Sequence, residues 1–108
     1  MTWQVKLLHE AENELMALPA DMRSRFLHIV ELLTDFGPQN VGMPHVRPLE
    51  GKLWEIRMTG RDGIARAIYV ARKGQVLTVL YVFSKKTQKT PRKAIDTAHE
   101  RLRRLNDE

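Results

Sequence analysis

Between Lys85 and Lys93 the chain carries five basic residues and no acid: Lys85, Lys86, Lys89, Arg92 and Lys93. Cations at this density suit the phosphates of a nucleic acid. The stretch ends where a helix is predicted to begin, and a helix N-terminus itself favours anions. Two further arginines, Arg57 and Arg66, fall upstream in strand-like segments. Guanidinium groups that converge can hold a phosphate through bidentate forks. Glu55 stands two residues before Arg57, the interval that returns a strand to the same face.

A register argument joins these residues. If Thr59 pairs with Ile64 across the turn at 59–63, Arg57 lies opposite Arg66 and Glu55 opposite Ile68. If Ala71 pairs with Gln75 across the next turn, Arg66 lies opposite Leu80. One sheet face then collects Trp54, Ile56, Met58, Ala65, Ala67, Tyr69, Leu77, Val79, Tyr81 and Phe83, an apolar surface for helices to cover. The other collects Glu55, Arg57, Arg66, Ile68, Val70, Thr78, Leu80, Val82 and Ser84, and one further step brings Lys86 to it. Two arginines directly opposite each other repel. An anion held between them relieves the repulsion, so Arg57, Arg66 and Lys86 are expected to form a phosphate cradle. The competing account is a solvated face on which Glu55 merely neutralises the arginines, and a one-residue slip would scatter the group.

The positioning elements follow from periodicity. Residues 3–7 alternate as a short strand. Residues 10–18 read as a helix with Ala11, Leu15 and Leu18 on one face. After Pro19 a second helix runs to Phe36, burying Met22, Phe26, Ile29, Val30 and Leu33, and Gly37-Pro38 stops it. Residues 37–52, rich in Gly and Pro, read as a long loop. Strands are predicted at 53–58, 64–71 and 76–83. A final helix starts with Thr90 as N-cap and Pro91 in its first turn, with Ile95, Ala98, Leu102 and Leu105 as its apolar stripe. This is an α+β arrangement: a short N-terminal strand, a two-helix hairpin, a three-stranded antiparallel meander joined by the N-terminal strand in one twisted sheet, and a C-terminal helix.

With 108 residues, the chain is expected to be one domain over residues 1–108. The net charge of +5 is unevenly placed. Residues 1–50 hold four basic and seven acidic side chains, net −3; residues 51–108 hold fourteen and six, net +8. A basic half points to a polyanion-binding site, although solvation alone also produces such asymmetry. The absence of cysteine excludes disulfides and thiolate metal sites. Neither a membrane span nor a signal peptide is legible, which fits the cytoplasm. His9, His28, His45 and His99 lack metal-ligand spacing, so no metal and no cofactor are expected. The arginines at 101, 103 and 104 read as a solvated helix face.

Three segments carry a resemblance: Leu53-Trp54-Glu55-Ile56-Arg57, Arg66-Ala67-Ile68-Tyr69, and Val82-Phe83-Ser84-Lys85-Lys86-Thr87-Gln88-Lys89-Thr90-Pro91. They resemble the phage-derived Gp-type branch of the HigB toxins, within the RelE/ParE superfamily, and the element order agrees over nearly the whole chain. The resemblance implies the toxin of a type II toxin–antitoxin system, an endoribonuclease that cuts mRNA on the translating ribosome, and a helix-turn-helix antitoxin partner. It implies metal-free chemistry, in which the ribose 2′-OH attacks the adjacent phosphorus while cations stabilise the phosphate oxygens. Arg57, Arg66 and Lys86 match the residues used at the scissile phosphate; Lys85, Lys89, Arg92 and Lys93 match flanking contacts to mRNA or rRNA. Two departures stand out. A lysine implicated as a base in RelE corresponds to Glu55, and a C-terminal stacking tyrosine has no counterpart, Arg92 falling nearby. Glu55 is thus a candidate general base, with Glu50 its rival and His45 a candidate proton donor. The alternatives are a ParE-like toxin that binds DNA gyrase without cutting RNA, and a catalytically inert nucleic-acid-binding protein.

Overall fold

A five-stranded sheet separates two hydrophobic cores, each covered by helix. The computed structural model describes residues 2–85 and 89–106. In chain order the elements are β1 (Gln4–Leu7), α1 (His9–Met16), α2 (Ala20–Phe36), a 3-10 turn (Pro38–Asn40), β2 (Val46–Glu50), β3 (Leu53–Gly60), β4 (Gly63–Arg72), β5 (Val76–Lys85) and α3 (Arg92–Asn106). The strands lie in the order β1-β5-β4-β3-β2. β1 runs parallel to β5, and the other pairs are antiparallel.

On one face α1 and α2 bury Ala11, Met22, Phe26, Ile29 and Leu33 against Ile56, Met58, Ala67, Tyr69 and Val79. Each of the larger aliphatic and phenylalanine side chains contributes about 1.5–3 kcal/mol relative to remaining exposed. On the other face α3 lays Ala94 and Ala98 over Leu53, Ile68, Val70, Leu80 and Phe83. The short alanines let α3 lie close to the sheet. At the end of the sheet, Asp21 in the first turn of α2 accepts from the backbone N–H of Arg61 at 2.7 Å, tying α2 to the β3–β4 turn. Gly60 is required there: a Cβ would stand 2.7 Å from Met22 Cγ.

The first hairpin has the expected register, with Thr59 opposite Ile64, Arg57 opposite Arg66 and Glu55 opposite Ile68. The second does not. Arg72 pairs with Val76 and Tyr69 with Val79, but Ile68 pairs with Tyr81, leaving Leu80 as an extra residue on β5. This β-bulge reverses the alternation beyond it. The turn register already moves the pairing by two residues, with Ala71 opposite Leu77 instead of Gln75, and the bulge moves it by one more, so Arg66 lies opposite Phe83 instead of Leu80. Val82 turns to the α1–α2 core, and Phe83 and Tyr81 to the α3 side. The extrapolation that carried Lys86 to the arginine face required unbroken alternation, so it lapses at Leu80. Lys86 itself lies outside the described residues.

The bulge's backbone groups have specific partners. Glu14 Oε1 on α1 accepts from the Val82 N–H at 3.1 Å, and Arg101 Nη1 on α3 donates to the Leu80 carbonyl at 3.0 Å. Arg101 also grips Glu14 through both nitrogens at 2.9 Å and lies over the Tyr81 ring. Of the three arginines expected on a solvated face, Arg101 is instead tucked in against Glu14 of α1, while Arg103 and Arg104 stay exposed and pair with Glu100 and with Glu10 of α1.

Three other expectations change. Residues 46–50 form edge strand β2, which tolerates Pro48 because an edge residue can forgo one ladder bond. Trp54, assigned to the helix-covered face, is 37% exposed. α3 starts at Arg92, so Pro91 precedes it and accepts from Ala94 and Ile95. Thr90 is therefore free of capping duty and bonds elsewhere.

Candidate functional site

Four charged residues on the α3 side of β2, β3 and β4 converge. Arg57 and Arg66 face each other across β3 and β4. Arg47 on β2 pairs with Glu55 on β3, extending the row by one strand. Glu55 is the hub: its Oε2 lies 2.7 Å from Arg47 Nε, 3.7 Å from Arg66 Nε and 3.9 Å from Arg57 Nη1. Its Oε1 accepts a short hydrogen bond from the Thr90 hydroxyl. Neither Glu55 nor Arg66 has any exposed surface.

Three guanidinium groups around one carboxylate leave net positive charge in a partly dry site. Burial lowers the Arg66 pKa, Glu55 opposes that, and Arg57 and Arg47 add to the lowering. An arginine stays charged through such a shift, so the site keeps its surplus. The repulsion between Arg57 and Arg66 is relieved from inside by Glu55. Access is graded: the Arg47 and Arg57 side chains are 28% and 13% exposed, while Arg66 stands behind them. An incoming anion meets Arg57 and Arg47 first. The Arg57 N–H is itself fixed, donating to the His45 carbonyl at 2.8 Å.

The other expected site residues divide. Lys85 closes β5, its Cα paired with Ile64, one alternation beyond the Arg66–Phe83 pair. The chain returns at Lys89, which is exposed, and at Thr90, which is bonded to Glu55. Both flanks of the stretch holding Lys86 are thus anchored beside the arginine cluster. Lys93 is exposed in the first turn of α3. Arg92 is engaged: it grips Glu50 on β2 through two bonds of 2.6 and 2.9 Å and reaches Asp96 at 2.9 Å.

The rival proton-transfer groups stand apart from the cluster's open side. Glu50 is held by Arg92 and by His99 at 2.7 Å, and those bonds bring its carboxyl down to about 2, which makes it a weak base. The His45 ring sits edge-on to His28 of α2, at 6.2 Å between centroids, toward the helix-covered side. Glu55 has both oxygens hydrogen-bonded and no exposed surface, so in this arrangement it organises arginines and is shielded from a ribose. Among the described residues no three His, Asp or Glu side chains form a metal-holding group. Nor is any helix among them long and apolar enough to cross a membrane.

Sequence reasoning missed Arg47 and Thr90. Arg47 was hidden in a segment whose glycines and prolines read as loop. Thr90 before Pro91 has the signature of a helix start, yet its hydroxyl reaches β3.

Comparison with known proteins identifies the family and the fold. Residues 13–103 match the family described as Phage derived protein Gp49-like (DUF891). No curated protein matches the chain. Among solved structures, the archaeal RelE–RelB complex from Pyrococcus horikoshii OT3 contains a chain 28% identical, with a TM-score of 0.60, over 82% of this chain and 100% of that one. A chain of the toxin–antitoxin complex RelBE2 from Mycobacterium tuberculosis is 14% identical, with a TM-score of 0.59, over 79% and 100%. A mutant of the E. coli toxin RelE in the free state shares the fold at 15% identity, with a TM-score of 0.65, over 94% and 99%. The chain belongs to the phage-derived Gp49-like family of RelE/HigB-type toxins and has the RelE-like α+β fold.

Proposed function

We propose that this protein is the toxin of a type II toxin–antitoxin pair and acts as a ribosome-dependent endoribonuclease on translated mRNA. The observation that carries this reading is the Arg57–Arg66 pair, set directly opposite and spanned by a buried carboxylate. One carboxylate offsets only part of the charge of Arg47, Arg57 and Arg66, and the surplus favours an external anion. In the proposed step the ribose 2′-oxygen attacks the adjacent phosphorus in line, without a metal ion. The O2′–P bond forms as the 2′-OH proton passes to solvent water, the P–O5′ bond breaks, and the 5′-oxygen takes up a proton from solvent as it leaves, giving a 2′,3′-cyclic phosphate and a 5′-hydroxyl. Arg57, with Lys86 from the flanking segment, neutralises the non-bridging oxygens; Arg66 reinforces that field from behind. A well-placed donor of this kind is worth roughly 3–4 kcal/mol of barrier. Lys85, Lys89 and Lys93 track the RNA or rRNA on either side of the cut. Arg92 contributes chiefly by anchoring α3 to β2 through Glu50. Glu55 acts as a positioning residue. The ribosome aligns the mRNA, which reduces the number of catalytic side chains the toxin must supply.

The solved RelE–RelB complexes support a cognate antitoxin, which we place as a helix-turn-helix protein encoded nearby, and translation places the reaction in the cytoplasm. The test is cleavage of a defined mRNA in a cell-free translation system by wild type and by Arg57→Ala, Arg66→Ala and Lys86→Ala. Cleavage should fall by about 100-fold or more in Arg57→Ala, as expected for loss of one such donor. Undiminished cleavage in all three would overturn the site assignment.

A further inference from the structure

A second basic surface lies at the far end of the same sheet face. Lys6 on β1, Lys52 in the β2–β3 turn, Arg72 at the end of β4 and Lys73 after it line a cleft of about 510 Å³ below the end of α3. All four side chains are exposed, and among the described residues no acid lines the cleft. Register explains the convergence. Lys6 pairs with Thr78, and Thr78 with Val70, forming one cross-strand row. Val70 faces α3 as Ile68 does, and Arg72 is the next residue of that alternation. The row therefore shares its face with Arg66. Six residues of extended strand separate Arg66 from Arg72, about 20 Å at roughly 3.3 Å per residue.

The contrast with the arginines of α3 is informative. Arg92, Arg101, Arg103 and Arg104 are all spent on Glu50, Glu14, Glu100 and Glu10. The cleft's cations have no such partner among the described residues. Two cationic patches at the two ends of one face fit a single extended polyanion better than two small ligands.

We infer that the cleft formed by Lys6, Lys52, Arg72 and Lys73 is a second RNA-backbone site, holding phosphates remote from the arginine cluster. The inference rests on the proposed function for the identity of the polyanion. It predicts that affinity and cutting are separable: the cleft sets how tightly RNA is held, and the arginine cluster whether it is cut.

The test measures binding of a fluorescein-labelled single-stranded oligoribonucleotide by anisotropy over a range of KCl concentrations. Each phosphate contact contributes about 0.7 to the slope of log K against log salt. The doubles Lys6→Gln/Arg72→Gln and Lys52→Gln/Lys73→Gln should each lower the slope by about 1.4. Arg23→Gln/Arg25→Gln, on α2 across the sheet, removes the same charge and should leave the slope unchanged. All substituted positions are partly or fully exposed, so the variants should fold. Cleft doubles that behave as the α2 control would overturn the inference. So would normal RNA binding with lost binding of labelled poly-glutamate, which would assign the cleft to an acidic polypeptide. Failure of the wider proposal has a different signature: wild type that binds RNA in this assay but leaves translated mRNA uncut.

Discussion

Replacing Glu55 by Gln keeps shape and an acceptor for Thr90 but removes the charge that three arginines share. The structure sets the size of the effect. Glu55 and Arg66 are both without exposed surface, and their nearest atoms lie 3.7 Å apart. At an effective dielectric near 20 that pair alone is worth on the order of 4 kcal/mol of gross attraction. Arg47 and Arg57 are partly exposed and add less. Removing one partner of a buried pair typically costs about 3–5 kcal/mol, because the remaining charge is left uncompensated. Against a usual domain stability of about 5–15 kcal/mol this is a large loss, readable by urea unfolding followed by far-UV circular dichroism. Two companions sharpen it. In Glu55→Gln/Arg66→Met both charges are gone, so the double should be more stable than Glu55→Gln. Inorganic sulfate should stabilise Glu55→Gln more than wild type, by about 2.7 kcal/mol at one hundred times its dissociation constant, because an anion at the exposed edge of Arg47 and Arg57 then meets arginines that no internal carboxylate neutralises. A Glu55→Gln loss below about 1 kcal/mol, or a sulfate response equal to that of wild type, would refute the view of Glu55 as an internal counter-ion.

Other outcomes follow from the same contacts. Glu14→Ala strips the acceptor from the Val82 N–H and the partner from Arg101; it should cost about 1–3 kcal/mol and speed hydrogen exchange at Val82. Gly60→Ala drives a Cβ into Met22 and Asp21, and should cost about 1–3 kcal/mol in urea unfolding. The Glu50 tether should respond to acid. Its carboxyl is lowered from 4.5 to about 2, so its contribution is full above about 4.5 and fades as pH falls toward 2. The stability gap between wild type and Glu50→Gln should therefore close over that window; a gap independent of pH would contradict the tether.

How much of this was legible in the sequence depended on local patterning. The β3–β4 hairpin could be read because its turn is short and its β3 strand alternates cleanly, so the Arg57–Arg66 pairing followed. β5 could not. From Val76 to Phe83 the strand is apolar at both parities apart from Thr78, so nothing in the run marks Leu80 as a bulge. What stabilises the bulge is Glu14 and Arg101, distant in sequence from β5 and from each other. Pro48 hid β2, and with it Arg47, because a proline that rules out a central strand is acceptable at an edge. Glu55 was recognised as sharing the arginine face, but its burial depends on Thr90 and α3 closing over it. Register shows which residues meet; it does not show how deeply they are buried.

The central claim is that the Arg57–Arg66 centre serves cleavage of translated mRNA. Primer extension on a defined transcript after induction, with and without the neighbouring gene, tests it most directly. Wild type should produce discrete 5′ ends within the translated region, absent in Arg57→Ala and suppressed by the co-expressed neighbour. Intact transcripts accompanied by DNA-damage signalling would contradict it and point to a gyrase-directed toxin on the same fold.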